Sequence, residues 1–328
     1  MSNRRSGRTP APLAVASIEG RGIDCGSRAG RSRDAGATVR LTVDRNDPPE
    51  HLFRRLLSAY LGGASWFEIV ERPRVSSSTR DVVRAFCRRT RRPQIVRDQG
   101  PLLELAEPVG HEPAGIDDGL LRLGEQVLAF HREAVESWGH LPLGDDGSWA
   151  RRDDEVDREA WYLERHIALD ERPENERTRP AIAAWTVARS LERIADHAVT
   201  LGEVGPRLAD LGSDGSPLRE LRQFHQQAMG HLEQVLLGAD GSRANDLLDM
   251  GEALISSGRA LSERVLPAVG DGSMPPATAA AVARAFEAIG RTIAYIQDIA
   301  QVFLDRVPRN PSLPGMAATV AAVPAPAV

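Results

Sequence analysis

Hydrophobic positions along this chain follow two successive patterns, and the switch between them lies near residue 110. Val39, Leu41 and Val43 alternate with polar residues, which is the period of a half-buried strand. Asn46-Asp47-Pro48 then supplies a capping residue and a first-turn proline for a helix. Leu52, Phe53, Leu56, Leu57, Tyr60 and Leu61 recur as pairs one turn apart, and Gly62-Gly63 ends the run. Residues 66–70 predict a second strand, and Ser77 or Ser78 caps a second helix whose inner face is Val82, Val83, Phe86 and Cys87. Residues 94–96 and 102–105 predict a hairpin about Gln99-Gly100. The sum is a small β-α-β-α-β-β domain over residues 37–107.

Residues 107–115 read as a linker, after which strand signals cease and a helical period continues to about Val307. Six helices are predicted, near 119–140, 148–170, 180–205, 217–238, 243–266 and 276–306. Proline- and glycine-bearing breaks separate them at 142–147, 172–180, 206–217, 238–241 and 267–276. The helices divide into two three-helix repeats, 117–210 and 215–307, an internal repetition that makes the chain mainly α. Residues 1–36, rich in Arg, Gly, Ser and Pro, are expected to be a disordered basic arm, and residues 308–328 a flexible tail.

Composition narrows the class. With 41% hydrophobic and 27% charged residues the chain has the balance of a globular protein. Its apolar runs, such as 279–282, are far shorter than the roughly 18 residues a membrane span requires. Two cysteines, Cys25 and Cys87, cannot build a disulfide framework, so a reducing cytoplasm is the expected setting. Net charge is −5, which gives no whole-chain nucleic-acid footprint. All 41 basic residues are arginine, so the choice of arginine at any one position carries little information. The stripe Arg80, Arg84 and Arg88 on the second helix is a candidate anion-binding face, weighed against a plain solvated one. Trp138, Trp149, Trp161 and Trp185 read as core packing, and His131, His225 and His231 as solvated or core-edge residues.

One segment departs from ordinary amphipathic helix: Arg151-Arg152-Asp153-Asp154-Glu155-Val156-Asp157. Asp153 and Asp157 lie four apart and share a face; Glu192 and Asp196 do the same on the next helix. Counted from the turn near 170–180, both pairs stand about 20 Å along their helices, so in an antiparallel hairpin they come level. Four carboxylates at one height suit a hard or borderline cation such as Mg²⁺, Ca²⁺, Mn²⁺ or iron. Solvation, or pairing with Arg152, Arg158 or Arg193, is the competing account. Asp154, Glu164 and His197 are candidates for further ligands or for supporting hydrogen bonds. Without that metal the chain would be a helical scaffold.

The stretch 152–158, followed about 30 residues later by Leu191-Glu192-Arg193-Ile194-Ala195-Asp196-His197-Ala198, resembles the PhoU family of phosphate-uptake regulators. That family has two three-helix repeats with Glu/Asp-x-x-x-Asp motifs holding metal clusters. Asp153/Asp157 and Glu192/Asp196 match the motif residue by residue, and the resemblance spans roughly 117–307. In the second repeat Gly290 and Ala294 stand where acids would be, so a single site, in the first repeat, is expected. The α/β segment 47–62 is similar to a region found in archaeal-type relatives between the helices and an AbrB-like DNA-binding hairpin. The hairpin's strand and its Leu-Pro-Lys helix start are missing from residues 1–36. The resemblance implies a cytoplasmic adaptor between a phosphate ABC transporter subunit and a sensor histidine kinase, carrying divalent or trivalent metal (iron, Mg, Mn or Zn). It also allows a homodimer.

Other classes fare worse. A ferritin-like oxidase needs Glu-x-x-His, whereas Glu164 and His166 are two apart. No Gly-rich phosphate loop or nucleophile elbow is present, so an enzyme is not expected. A DNA-binding transcriptional regulator using the α/β domain is the alternative function, resting on the arginine stripe and the basic arm.

Overall fold

The computed structural model describes residues 37–108, 115–138, 148–170, 173–211, 216–238, 243–265 and 274–306. The expected arm 1–36, the tail 308–328, most of the linker and most of the interhelical breaks lie outside the described residues. The chain divides into two compact units. One ends at Phe86 and takes in Arg92–Pro108; the other holds Cys87–Arg91 and everything from residue 109 onward.

The first unit runs β1 (Ala37–Thr42), α1 (Pro49–Leu61), β2 (Ala64–Val70), α2 (Ser77–Arg89), β3 (Gln94–Gln99) and β4 (Leu102–Ala106). Its sheet has the order β1-β2-β4-β3. β1 and β2 are parallel, so the chain must cross over between them, and α1 is that crossover. Both remaining pairs are antiparallel, with Phe67 opposite Leu105 and Ile69 opposite Leu103. These four side chains are buried together with Val39, Leu41, Leu52, Leu56, Tyr60 and Phe86. Each such burial contributes about 1.5–3 kcal/mol. Phe86 is the hub, meeting Phe53, Tyr60 and Phe67 edge to face at ring-centroid distances of 5.8–6.1 Å.

Local signals differ from expectation at two helix starts. No side chain caps α1; Pro48 is the cap residue and Pro49 opens the first turn. At α2 the cap is Ser76, one residue before the expected serines: its Oγ accepts the Thr79 N–H at 3.2 Å. The same Ser76 donates through both N–H and Oγ to Glu71, whose side chain is almost completely buried. Burial draws the Glu71 pKa upward, but the Ser76 and Thr79 donors and Arg45 at 3.3 Å outweigh it, so the net displacement is downward.

The second unit is helical: α3 (Ile116–Glu136), α4 (Ser148–Ala168), α5 (Glu174–Leu208), α6 (Ser216–Leu237), α7 (Ala244–Val265) and α8 (Pro276–Arg306). α5 and α8 run along each other, α3 and α4 pack on α5, and α6 and α7 pack on α8. This is two three-helix repeats sharing one core through their longest helices, preceded by a small α/β unit. The break expected at 172–180 does not hold: α5 begins at Glu174 and carries Pro180 inside it. Thr178, Arg179 and Pro180 are exposed, so water can satisfy the carbonyl that proline leaves unbonded, and the helix continues. Against α5, the Trp149 ring of α4 lies so near Gly202 that a Cβ there would stand 2.5 Å from it.

Candidate metal centre

The acids sit on the two helices that pack side by side. Val156, Ala160, Leu163 and Ile167 of α4 and Ala188, Leu191, Ala195 and Ala198 of α5 are buried in the core. Asp153 and Asp157 flank this apolar seam on α4, and Glu192 and Asp196 flank it on α5.

The structure brings the four carboxylates within each other's field. Loss of surrounding water raises the Asp153 pKa first, the charges of Asp157 and Asp196 add to it, and the group reaches about 7. Asp157 is pushed up to about 6 by burial; Arg89 opposes this, while Asp196 and Asp154 reinforce it. Glu192 reaches about 7, by burial opposed by Arg189 and reinforced by Asp196 and Asp157. Burial also raises Asp196, against the pull of Arg193 and Arg189, although its side chain stands at the exposed rim. Partly dehydrated carboxylates that repel one another hold protons more tightly, and they would hold a divalent cation for the same electrostatic reason.

Arginines border the cluster. Within the helical unit, the Arg89 guanidinium reaches Asp157 through Nη2 at 2.6 Å and Asp154 through Nε at 2.6 Å. Arg189 lies 3.4 Å from Glu164 and 3.7 Å from Glu192, and Arg193 lies 3.8 Å from Glu192. Arg152, a sequence-stretch neighbour of the acids, turns instead to Glu133 and Glu155 at 2.7 Å. Among the described residues no three His, Cys, Asp or Glu side chains meet at the spacing of a formed metal site. The donor chemistry nevertheless suits a hard cation: four partly desolvated carboxylates carried by two packed helices.

The supporting candidates separate. Asp154 belongs to the cluster's edge through Arg89. Glu164, buried and raised in pKa by burial, bonds to Arg189. His197 faces the other way and stacks on Tyr295 of α8, with ring centroids 5.9 Å apart. On α2, Arg80 of the candidate anion-binding stripe is bidentate to Asp98 at 2.7 and 2.8 Å and also donates to the Val75 carbonyl. Arg84 pairs with Asp81 at 3.3 Å.

Two groups of residues lie otherwise than expected. Trp185 is 48% exposed rather than in the core. His131, His225 and His231, expected to be solvated or at the core edge, are all buried inside the helical unit. His131 Nδ1 and His225 Nε2 share a hydrogen bond at 3.2 Å, and His131 Nε2 is 2.8 Å from the Ile194 carbonyl of α5. Burial drops their pKa values to about 4 and about 3, so the pair is neutral. With His131 Nε2 protonated toward Ile194, its Nδ1 accepts from His225.

Residues 120–204 match the family model described as PhoU domain. The chain carries a PhoU domain. That match runs from the start of α3 almost to the end of α5, so both acid pairs lie inside the PhoU domain. Comparison with curated proteins and with solved structures gives no match. Among the described residues no helix is long and apolar enough to cross a membrane.

Proposed function

We propose that this chain is a non-enzymatic regulator of phosphate homeostasis whose PhoU domain binds metal between α4 and α5. The observation that carries the reading is the mutual approach of Asp153, Asp157, Glu192 and Asp196 inside the PhoU domain. Iron, Mg, Mn or Zn would be held by these carboxylates, offsetting their repulsion and fixing how α4 and α5 lie together. The surface so fixed would be read in the cytoplasm by a phosphate ABC transporter subunit and a sensor histidine kinase, restraining import when phosphate is plentiful. Each residue has a plain task in this scheme. Asp157 and Glu192, the more buried acids, anchor the ion, while Asp153 and the rim residue Asp196 complete its shell.

The test is physiological. Cells lacking the chain should keep taking up phosphate rapidly in phosphate-rich medium. The wild-type chain should restore the restraint, and D153A/E192A should not, although it accumulates to the same level. Uptake that is indifferent to deletion would remove the regulatory reading.

A further inference from the structure

Arg89 is the cation that the cluster already holds. Its Nη2 lies 2.6 Å from Oδ2 of Asp157, and its Nε lies 2.6 Å from Oδ1 of Asp154, so one guanidinium spans two carboxylates of α4. Asp157 leaves only 8% of its side chain exposed, so water does little to neutralise it and Arg89 does most. The same guanidinium lies over the Trp161 ring, 5.2 Å from its centroid, one turn further along α4. An aromatic face is a second resting place for an arginine that has lost its carboxylate.

We propose that Arg89 is a resident counter-cation of the carboxylate site, which an incoming metal ion must displace from Asp157. The inference rests on the metal reading above and adds to it what opposes the ion. A divalent ion bonded to an Asp157 oxygen at roughly 2.0–2.6 Å would stand close enough to the guanidinium for strong mutual repulsion. The two cations therefore compete for one buried charge. Arg89 thus sets the metal concentration at which the site fills, and in its absence the acids would repel one another. Displaced from Asp157, the guanidinium stays against Trp161 and Asp154. The neighbouring Arg91 provides a comparison, since it pairs with Glu159 at 2.6 Å and lies over Tyr162, away from the four acids.

The experiment is calorimetric titration of the full chain with Mn²⁺, comparing wild type, R89Q and R91Q after circular dichroism has shown each to be folded. R89Q should bind Mn²⁺ about ten-fold more tightly than wild type, the worth of one partly exposed charge-assisted hydrogen bond. R91Q should bind as wild type does. Equal or weaker binding by R89Q, with wild type still binding, overturns the competition and leaves the metal site standing. No Mn²⁺ binding by either folded protein overturns the metal reading itself, and this inference with it. A measurement on wild type alone guards against misfolding of R89Q. Saturating Mg²⁺ should shift the Arg89 Nη2–H resonance away from its position when bonded to Asp157, and a resonance that stays in place contradicts the proposal.

Discussion

At the scale of single residues, buried ionisable groups set the properties of the helical unit. Asp153, Asp157 and Glu192 have folded-state pKa values of about 7, 6 and 7, against roughly 3.9 for Asp and 4.3 for Glu in an unfolded chain. Between about pH 4 and 7 the folded metal-free protein therefore binds more protons than the unfolded one, and these groups erode stability as pH rises. D153N/E192Q should thus gain on wild type as pH climbs from 4 to 7.5 in a chelator. By pH 7.5 it should lead by about 1–2 kcal/mol, a figure reduced for solvent screening at the partly exposed groups. Urea unfolding at stepped pH measures this, and a difference that stays constant with pH contradicts it. The histidine pair has the opposite sign. His131 and His225 are lowered to about 4 and about 3, so the stability they support is present above about pH 6.5 and lost as pH falls toward 4. His131→Leu leaves the His225 Nε2 without its partner and removes the extra donor on the Ile194 carbonyl, which keeps its bond within α5, at a cost of about 1–3 kcal/mol at pH 7. That cost should shrink as the medium is acidified. A cost that is the same at pH 5 and pH 7 would show that the pair is not neutral in the core.

At the scale of elements, the pattern of apolar positions was a good guide where one residue face decides burial. β1 alternates as expected, and β2 and β4 form where strands were expected, each with alternate residues buried along part of its length. The sequence was a poorer guide to α5, since Pro180 reads locally as a stop and only its exposed setting lets the helix run through. The acid pairs could be read from their spacing because each is local to one helix. Arg89 could not be: its partner Asp157 is 68 residues away, and in a chain without lysine nothing marks that arginine apart. The histidine pair was missed for the same reason, 94 residues separating two side chains with no local signal. Close packing of α4 on α5 makes its own prediction. Gly202→Val would force a side chain into the Trp149 ring and should destabilise the unit by about 1–3 kcal/mol. A shifted urea midpoint at unchanged slope would show this, and an unshifted midpoint would mean the ring moves aside freely.

At the scale of the whole molecule, one continuous core joins the two three-helix repeats, and the carboxylate cluster lies along the α4–α5 seam of the first repeat. That placement would let the proposed ion act on helix packing, since the same two helices that carry the acids bury the residues between them. In the proposed regulator this seam is the part whose geometry would answer to a ligand, because its charges oppose its own closure. Elemental analysis of the purified full chain tests this most directly, performed on wild type and D153N/E192Q after identical gel filtration. Metal that travels with wild type and is lost from the folded double variant is the predicted result. Equal metal content in the two proteins, or none in wild type even after incubation with iron, Mn, Mg and Zn, would contradict it.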